Sequence, residues 1–212
     1  MSYKIMPTAQ VADTATLGDG TTVWELAQIR EEARLGEACI VGRGAYVGAG
    51  VRIGDNVKLQ NLALVYEPAA LGDGVFVGPA VVLTNDHNPR SVDTEGRLKR
   101  GGDWEEVGVT VAEGASLGAR SVCVAPLRVG RWAMVAAGAV VTRDVPDFAL
   151  VAGVPAQRIG WVGRAGVRLR HVEGGDDALW ECPETGARYE ERPQTAADGE
   201  HAVLVLVERS ST

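Results

Sequence analysis

From Thr84 to Arg90 the chain reads TNDHNPR, and this short run holds the side chains best suited to moving a proton in the first 170 residues. His87 is the one histidine in that stretch. Imidazole titrates near neutrality, which makes His87 the candidate general base. Asp86 stands beside it as a candidate to orient the ring, and Asn85 can hydrogen-bond either a reacting amine or an acyl oxygen. Asn88 and Arg90 complete the run as candidate substrate contacts. A single histidine cannot supply the three-histidine set of a catalytic zinc, and Cys39, Cys123 and Cys182 have no C-x-x-C spacing. No metal is expected, and the cysteines are expected to be buried thiols.

What must position this run is a repeat. Every sixth residue from Ile5 to Leu83 is aliphatic, fourteen in succession, and the pattern resumes in a new phase with Val111, Leu117, Cys123, Val129, Val135 and Val141. Two residues before almost every aliphatic lies a small or β-branched side chain, such as Ala27, Ala33, Cys39 or Val51. One residue after it Gly is common, as at Gly18, Gly36, Gly54 and Gly78, which suggests corners needing unusual backbone angles. An amphipathic helix repeats near 3.6 and a meander turns every 8–12 residues, so a period of six fits neither. Three units of a short strand and a turn close a triangular coil, and coils stack about 4.8 Å apart through parallel hydrogen bonds. Twenty units predict between six and seven coils, a prism roughly 30 Å tall.

The repeat fails once. Leu83 and Val111 are 28 residues apart, and the polar segment between them, about 84–108, is expected to be a loop ejected from one coil. Long loops on compact scaffolds are usually functional. Beyond Trp161 the hexads are gone. Two units are therefore expected: a β-helix over residues 1–162 and an acidic C-terminal extension over 163–212, with a hairpin turning at CPETG and an apolar run from Ala202 to Val207.

Charge divides along the same lines. The net −7 lies in residues 171–212, whereas residues 114–170 carry 8 basic and 2 acidic side chains, an excess that suits a small polyanion. No charged leader precedes an apolar run, and nothing approaches the roughly 18 apolar residues of a membrane span. A cytoplasmic protein with no membrane insertion and no nucleic-acid partner is expected.

The hexads, the loop opening TNDHNPR, the resumption GASLGARSVCV and the closing AAGAVVTRDVPDFALVAGVPAQRIGW together resemble the hexapeptide-repeat acyltransferases. Within them, VKLQN, GVFVGP before TNDHNPR, and the tail CPETGARY are similar to bacterial N-acetyltransferases acting on nucleotide-linked 3-amino sugars. The branch that resembles it most acetylates a UDP-linked 3-amino uronic acid for cell-surface polysaccharide. Physics alone favours right-handed parallel crossovers; the resemblance implies a left-handed parallel β-helix instead. It also implies a homotrimer with acetyl-CoA in a groove between prisms and the sugar amine near the ejected loop. On that basis Gly118, Ala119, Ala136, Ala137 and Gly138 line the pantetheine arm, Arg158 meets the CoA phosphates, and Asn61 joins Asn88 and Arg90 in binding substrate.

Three alternatives accompany this expectation. O-acetylation of serine or a simple sugar would use the same fold. A non-catalytic scaffold would need neither the polar loop nor the basic end. A γ-carbonic-anhydrase-like hydratase would need histidines that the β-helix lacks.

Overall fold

A computed structural model describes residues 2–172, 178–196 and 199–207. The remainder of the expected extension, 173–177, 197–198 and 208–212, lies outside the described residues. The chain is a left-handed parallel β-helix whose three faces are parallel sheets. Face one contains Lys4–Ile5, Thr22–Val23, Ile40–Val41 and onward to Ala149–Gly153; face two runs from Gln10–Val11 to Val140–Val141; face three runs from Thr16–Leu17 to Leu127–Val129. The first corner joins faces one and two, the second joins two and three, and the third returns to face one. Register is fixed at eighteen residues, as in Lys4↔Thr22 and Thr22↔Ile40. Across the loop it becomes Ala70↔Thr110, so 22 residues are inserted.

The six-residue repeat extends further than its aliphatic phase revealed. Val145 bridges Val129 and Leu150 pairs with Met134, each sixteen residues apart, so the last coil is two residues short. Face one therefore stacks eight parallel strands, a column of about 34 Å rather than the shorter prism expected. An antiparallel strand, Ala156–Trp161, closes it.

The core is the aliphatic column with the small residues two positions earlier. Val23, Val41, Leu59 and Val77 are fully buried on face one, and Ala27, Ala45 and Ala63, two residues before the face-two aliphatics Ile29, Val47 and Val65, are buried as well. Each buried Val or Leu contributes roughly 1.5–3 kcal/mol of transfer free energy. The N-terminal coil is open, with Ile5 exposed and Val11 and Leu17 half-buried. The C-terminal end is covered: Phe148 meets Tyr189 edge-on at 5.3 Å, and the Tyr189 hydroxyl accepts the Arg164 amide at 3.0 Å. Tyr189 belongs to a four-stranded antiparallel sheet of Arg170–His171, Leu179–Glu181, Arg188–Ala196 and Gly199–Val207. The turn between Leu179–Glu181 and Arg188–Ala196 contains Pro183 and Gly186.

Glycine after the aliphatic has a different cause from the one expected. Gly18, Gly36, Gly54 and Gly78 do not adopt positive φ; a Cβ on any of them would collide with the backbone of the next coil, 2.7 Å from the Ala119 nitrogen in the case of Gly78. The left-handed residue lies two positions later, at Gly44 and Gly50 but also at Leu26, Glu32, Ala38 and Leu62.

Candidate active site

The insertion leaves the second corner after Val82–Leu83 and returns into Val109–Val111. It is not a structureless loop but a narrow antiparallel arm, bridged at Asp86↔Glu106 and at Val92↔Leu98. Its base is pinned where Thr84 Oγ1 accepts the Ala125 amide at 2.9 Å and the Asn85 carbonyl accepts the Val107 amide at 3.1 Å. Its tip is organised by Asp93, whose carboxylate accepts the Glu95 and Arg97 amides and pairs with Arg97 Nε at 2.8 Å. The Arg97 backbone amide, then its guanidinium, hold the Asp93 carboxyl below the usual carboxylate range.

Asn85 and Asp86 are half-buried at the base of the arm, and His87, Asn88 and Arg90 are exposed beyond it. Asp86 Oδ1 accepts the Asn88 amide at 2.8 Å, closing a tight local turn. No hydrogen bond joins Asp86 to His87 among the described residues, so the orienting role expected of Asp86 has no counterpart in this geometry. Arg90 Nη1 donates to the carbonyl of its neighbour Pro89 at 2.9 Å. The Asn85 amide group has no intramolecular partner among the described residues and remains available to a ligand.

The small residues expected to hold the cofactor stack on the first corner. Gly118 lies under Ala136 and Ala137, and a Cβ there would approach the Ala137 nitrogen to 2.5 Å, so this glycine sets the spacing of the coils. Gly138 has φ +72° with nothing within 4 Å, leaving the corner surface open. Ala119 and Ala137 occupy equivalent places one coil apart. Arg120, which the sequence reading passed over, lies in this column, exposed, at φ 58° and without a carboxylate partner among the described residues.

Two expected ligands are otherwise engaged. Asn61 lies on the first corner too, but its Oδ1 accepts the Arg43 amide at 2.9 Å. Asp55 and Asp73 do the same for Glu37 and Asp55 at the third corner, which makes Asn61 one of a series that ties each coil to the one before. Arg158 lies on the closing strand, 4.2 Å over the Trp161 ring, with Nη1 3.4 Å from Glu191 Oε1. Glu191 Oε2 also accepts the indole N–H groups of Trp161 and Trp180. The acidic extension thus holds the side chain that was expected to hold phosphate.

Within one chain the arm and the small-residue column stand on different corners, at opposite edges of face two. The outward positions of that face read Tyr46, Leu64, Val82, Val122 and Val140 in register, an apolar stripe five coils long. Beside it on the first corner, Leu26 and Leu62 are more than half exposed while held at φ 58° and 63°. Among the described residues no cluster of His, Cys, Asp and Glu could hold a metal ion, and no helix is long and apolar enough to cross a membrane.

Residues 33–61 and 108–143 match the family model described as the hexapeptide repeat of succinyl-transferase. Over 96 residues the chain is 42% identical to the dTDP-3-amino-3,6-dideoxy-alpha-D-galactopyranose 3-N-acetyltransferase of Aneurinibacillus thermoaerophilus, covering 45% of each protein. Over 88 residues it is 38% identical to the serine acetyltransferase of Escherichia coli strain K12, covering 41% of this chain and 31% of that one. Among solved structures, LpxA, a UDP-N-acetylglucosamine acyltransferase from Bacteroides fragilis 9343, shares the fold with a TM-score of 0.60 at 21% identity, over 76% of this chain and 61% of that one. The matched stretches span less than half the length of these curated relatives.

Proposed function

We propose that this hexapeptide-repeat protein is an acyl-CoA-dependent N-acetyltransferase that moves the acetyl group of acetyl-CoA to the amino group of a nucleotide-linked 3-amino sugar, working as a homotrimer. The observation that carries this reading is the placement of the two half-sites at the two edges of one apolar face. Three prisms packed about a threefold axis with face two inward bury the Tyr46–Val140 stripe. The same packing sets the second corner of each chain against the first corner of the next. The arm of one protomer then faces the small-residue column of its neighbour, and a thin pantetheine chain fits between them. Similarity to the dTDP-amino-sugar N-acetyltransferase supports the acceptor class.

The chemistry follows from the groups at the arm. The sugar nitrogen, with its lone pair, attacks the thioester carbonyl carbon, and the carbonyl electrons move to oxygen. The Asn85 side-chain N–H is placed to stabilise that oxyanion. His87 takes a proton from the nitrogen, the C–S bond breaks, and the same proton goes to the departing sulfur to give CoA thiol and amide. Acetyl-CoA is the acyl donor in this scheme, bound along Gly118, Ala119, Ala136, Ala137 and Gly138 through backbone groups. Arg120 is placed better than the engaged Arg158 to meet its phosphates.

The test is thiol release from acetyl-CoA with UDP- and dTDP-linked 3-amino sugars, their 3-hydroxy counterparts, and serine. Transfer confined to the amino sugars is expected, together with a solution mass three times the 22.3 kDa of one chain. Turnover only with hydroxyl acceptors would move the assignment to O-acetylation, for which the serine acetyltransferase likeness speaks. A monomer active at assay concentration would overturn the assembled site.

A further inference from the structure

The residue two places after a column aliphatic has one job on the first and third corners. Asp55, Asp73 and Asn61 turn down on to the coil before, where each side-chain oxygen accepts the amide of the residue eighteen earlier, at 2.7, 2.8 and 2.9 Å. On the second corner the same place is taken by Glu67 and, one coil on, by Asn85. Neither makes the tie. Glu67 is one methylene longer than Asp, and its Oε2 lies where a Cβ of Gly48 would be, buried and with no hydrogen-bond partner among the described residues. A carboxylate oxygen left so is costly, and in a structure that pairs its polar groups it points to a function. Turning this carboxylate outward breaks no hydrogen bond of Oε2, whereas turning Asp55 or Asp73 outward breaks one. Glu67 also stands at the base of the arm. Asn85 follows it in the column, and its neighbour Pro68 packs on Gly108, where the arm returns: a Cβ there would come 3.1 Å from Pro68 Cγ. Beside it Tyr46 and Tyr66, both half-buried, meet with ring centroids 5.2 Å apart. Burial, then the negative charge of Glu67, push the Tyr46 hydroxyl up. Arg30, two coils before, is already paired with Glu31 at 2.9 Å.

We propose that Glu67 holds the amine of the acceptor, its carboxylate turning from Gly48 to accept an N–H beneath Asn85. The inference deepens the N-acetyltransferase reading and rests on the arm being the acceptor site. Elsewhere in the prism this place accepts a backbone N–H; on the second corner the ligand supplies it. An amine suits it best, because at neutral pH it arrives as an ammonium, and a hydrogen bond between two charged partners is roughly twice as strong as one between neutral groups. A hydroxyl in the same place forfeits that gain. Once the ammonium has given one proton to solvent, the neutral amine attacks the thioester. The nitrogen then carries a positive charge until His87 takes one of its two protons, and the carboxylate, accepting the other N–H, stabilises that charge. Glu67 neither gains nor loses a proton. Successive coils lie about 4.8 Å apart, so a single reacting carbon can present its nitrogen to Glu67 and its oxygen to Asn85.

The test is calorimetry on the full chain with CoA present, titrating UDP- and dTDP-linked 3-amino sugars and their 3-hydroxy counterparts, which differ only in the group that Glu67 holds. Wild type should prefer the amino sugar by about tenfold or more, and Glu67→Gln, which keeps the shape and removes the charge, should bind both about equally. CoA affinity should stay within about twofold and Tm within about 2 °C, because Oε2 makes no bond that the variant could lose. Glu67→Asp should also lose the preference while raising Tm by about 1–6 °C, since the shorter carboxylate can tie to the Ala49 amide as Asp55 and Asp73 tie to theirs. A wild type without the preference, a Glu67→Gln protein that keeps it, or one that loses CoA affinity and Tm along with it would each overturn the assignment. Acetyl transfer is scored separately. Wild type that selects the amino sugar through Glu67 yet acetylates none refutes the proposed reaction and leaves this residue's role standing; amino-sugar acetylation equal in wild type and Glu67→Gln does the reverse.

Discussion

Two glycines that look alike in sequence should respond very differently to alanine. At Gly78 the added Cβ would lie 2.7 Å from both the Ala119 nitrogen and the Leu117 oxygen, and 2.9 Å from the Gly118 carbonyl carbon. All three are backbone atoms of the next coil, and the Gly78 amide already donates to the Leu117 carbonyl at 2.8 Å. Relief requires the coils to part, which breaks that ladder locally, so overpacking should cost about 3 kcal/mol, the upper part of the usual range. Gly50, by contrast, has φ +67° and nothing within 4 Å of a Cβ. There the strain of a left-handed alanine, about 1–2 kcal/mol, is partly offset by the smaller entropy of the unfolded chain, about 0.4–1 kcal/mol. Ala38 and Ala80 already occupy that conformation. For a chain of this length each kcal/mol moves Tm by roughly 2–4 °C. Gly78→Ala should therefore lower Tm by about 6–12 °C and Gly50→Ala by about 1–4 °C, measured by calorimetry at one scan rate. Equal shifts, or the reverse order, would refute the account of which glycine the repeat needs.

His87→Ala should lower acetyl transfer by roughly two to four orders of magnitude while leaving CoA binding intact; unchanged turnover removes His87 from the reaction. Glu191→Ala leaves the fully buried Trp161 indole N–H without its acceptor, and denaturant titration should show a loss of about 1–3 kcal/mol. Burial pushes the Cys123 thiol up to about 12 from an ordinary value of 9.0. The folded chain then keeps a proton that the unfolded chain has lost, so this thiol's effect on stability is absent below pH 9.0 and grows destabilising as pH rises towards about 12. Cys123→Ala should flatten the alkaline limb of stability against pH; an unchanged slope would show that the thiol is not held neutral.

The fold was largely legible because its core is periodic. An aliphatic every sixth residue, with a small residue two earlier, specifies a strand too short for any other architecture, and from Val23 onward those positions are buried in the structure. What escaped was the final coil. Its corner lacks two residues, which shifts Val145 and Val151 out of phase although their hydrogen bonding continues the stack. A period detected by residue type fails where backbone pairing does not. The glycine columns misled for a related reason: composition shows where a side chain is forbidden, but not whether a dihedral angle or a neighbouring coil forbids it.

The site was legible in part, and the missing signal lay in the eighteen-residue period rather than in the six. Residues eighteen apart share a corner, so Asn61 falls with Pro79 and, once the 22 inserted residues are removed, with Ala119 and Ala137. Thr84 and the arm fall on the next corner. Asn61 and His87 therefore lie at opposite edges of face two within one chain, a separation already contained in the arithmetic of the repeat. The proposed pocket between chains would bring the two corners together, and the face separating them is apolar where a solvated face would be polar. Arg158 illustrates the opposite limit. Its partners Glu191, Trp161 and Trp180 span both the last coil and the C-terminal sheet. No local pattern in GVPAQRIG indicates that a carboxylate 33 residues further on claims this side chain. Charge summed along the chain located a cation-rich region; only the folded geometry separates the arginines that are engaged, Arg131 and Arg158, from Arg120, which has no carboxylate partner among the described residues and faces outward where an anionic ligand can reach it.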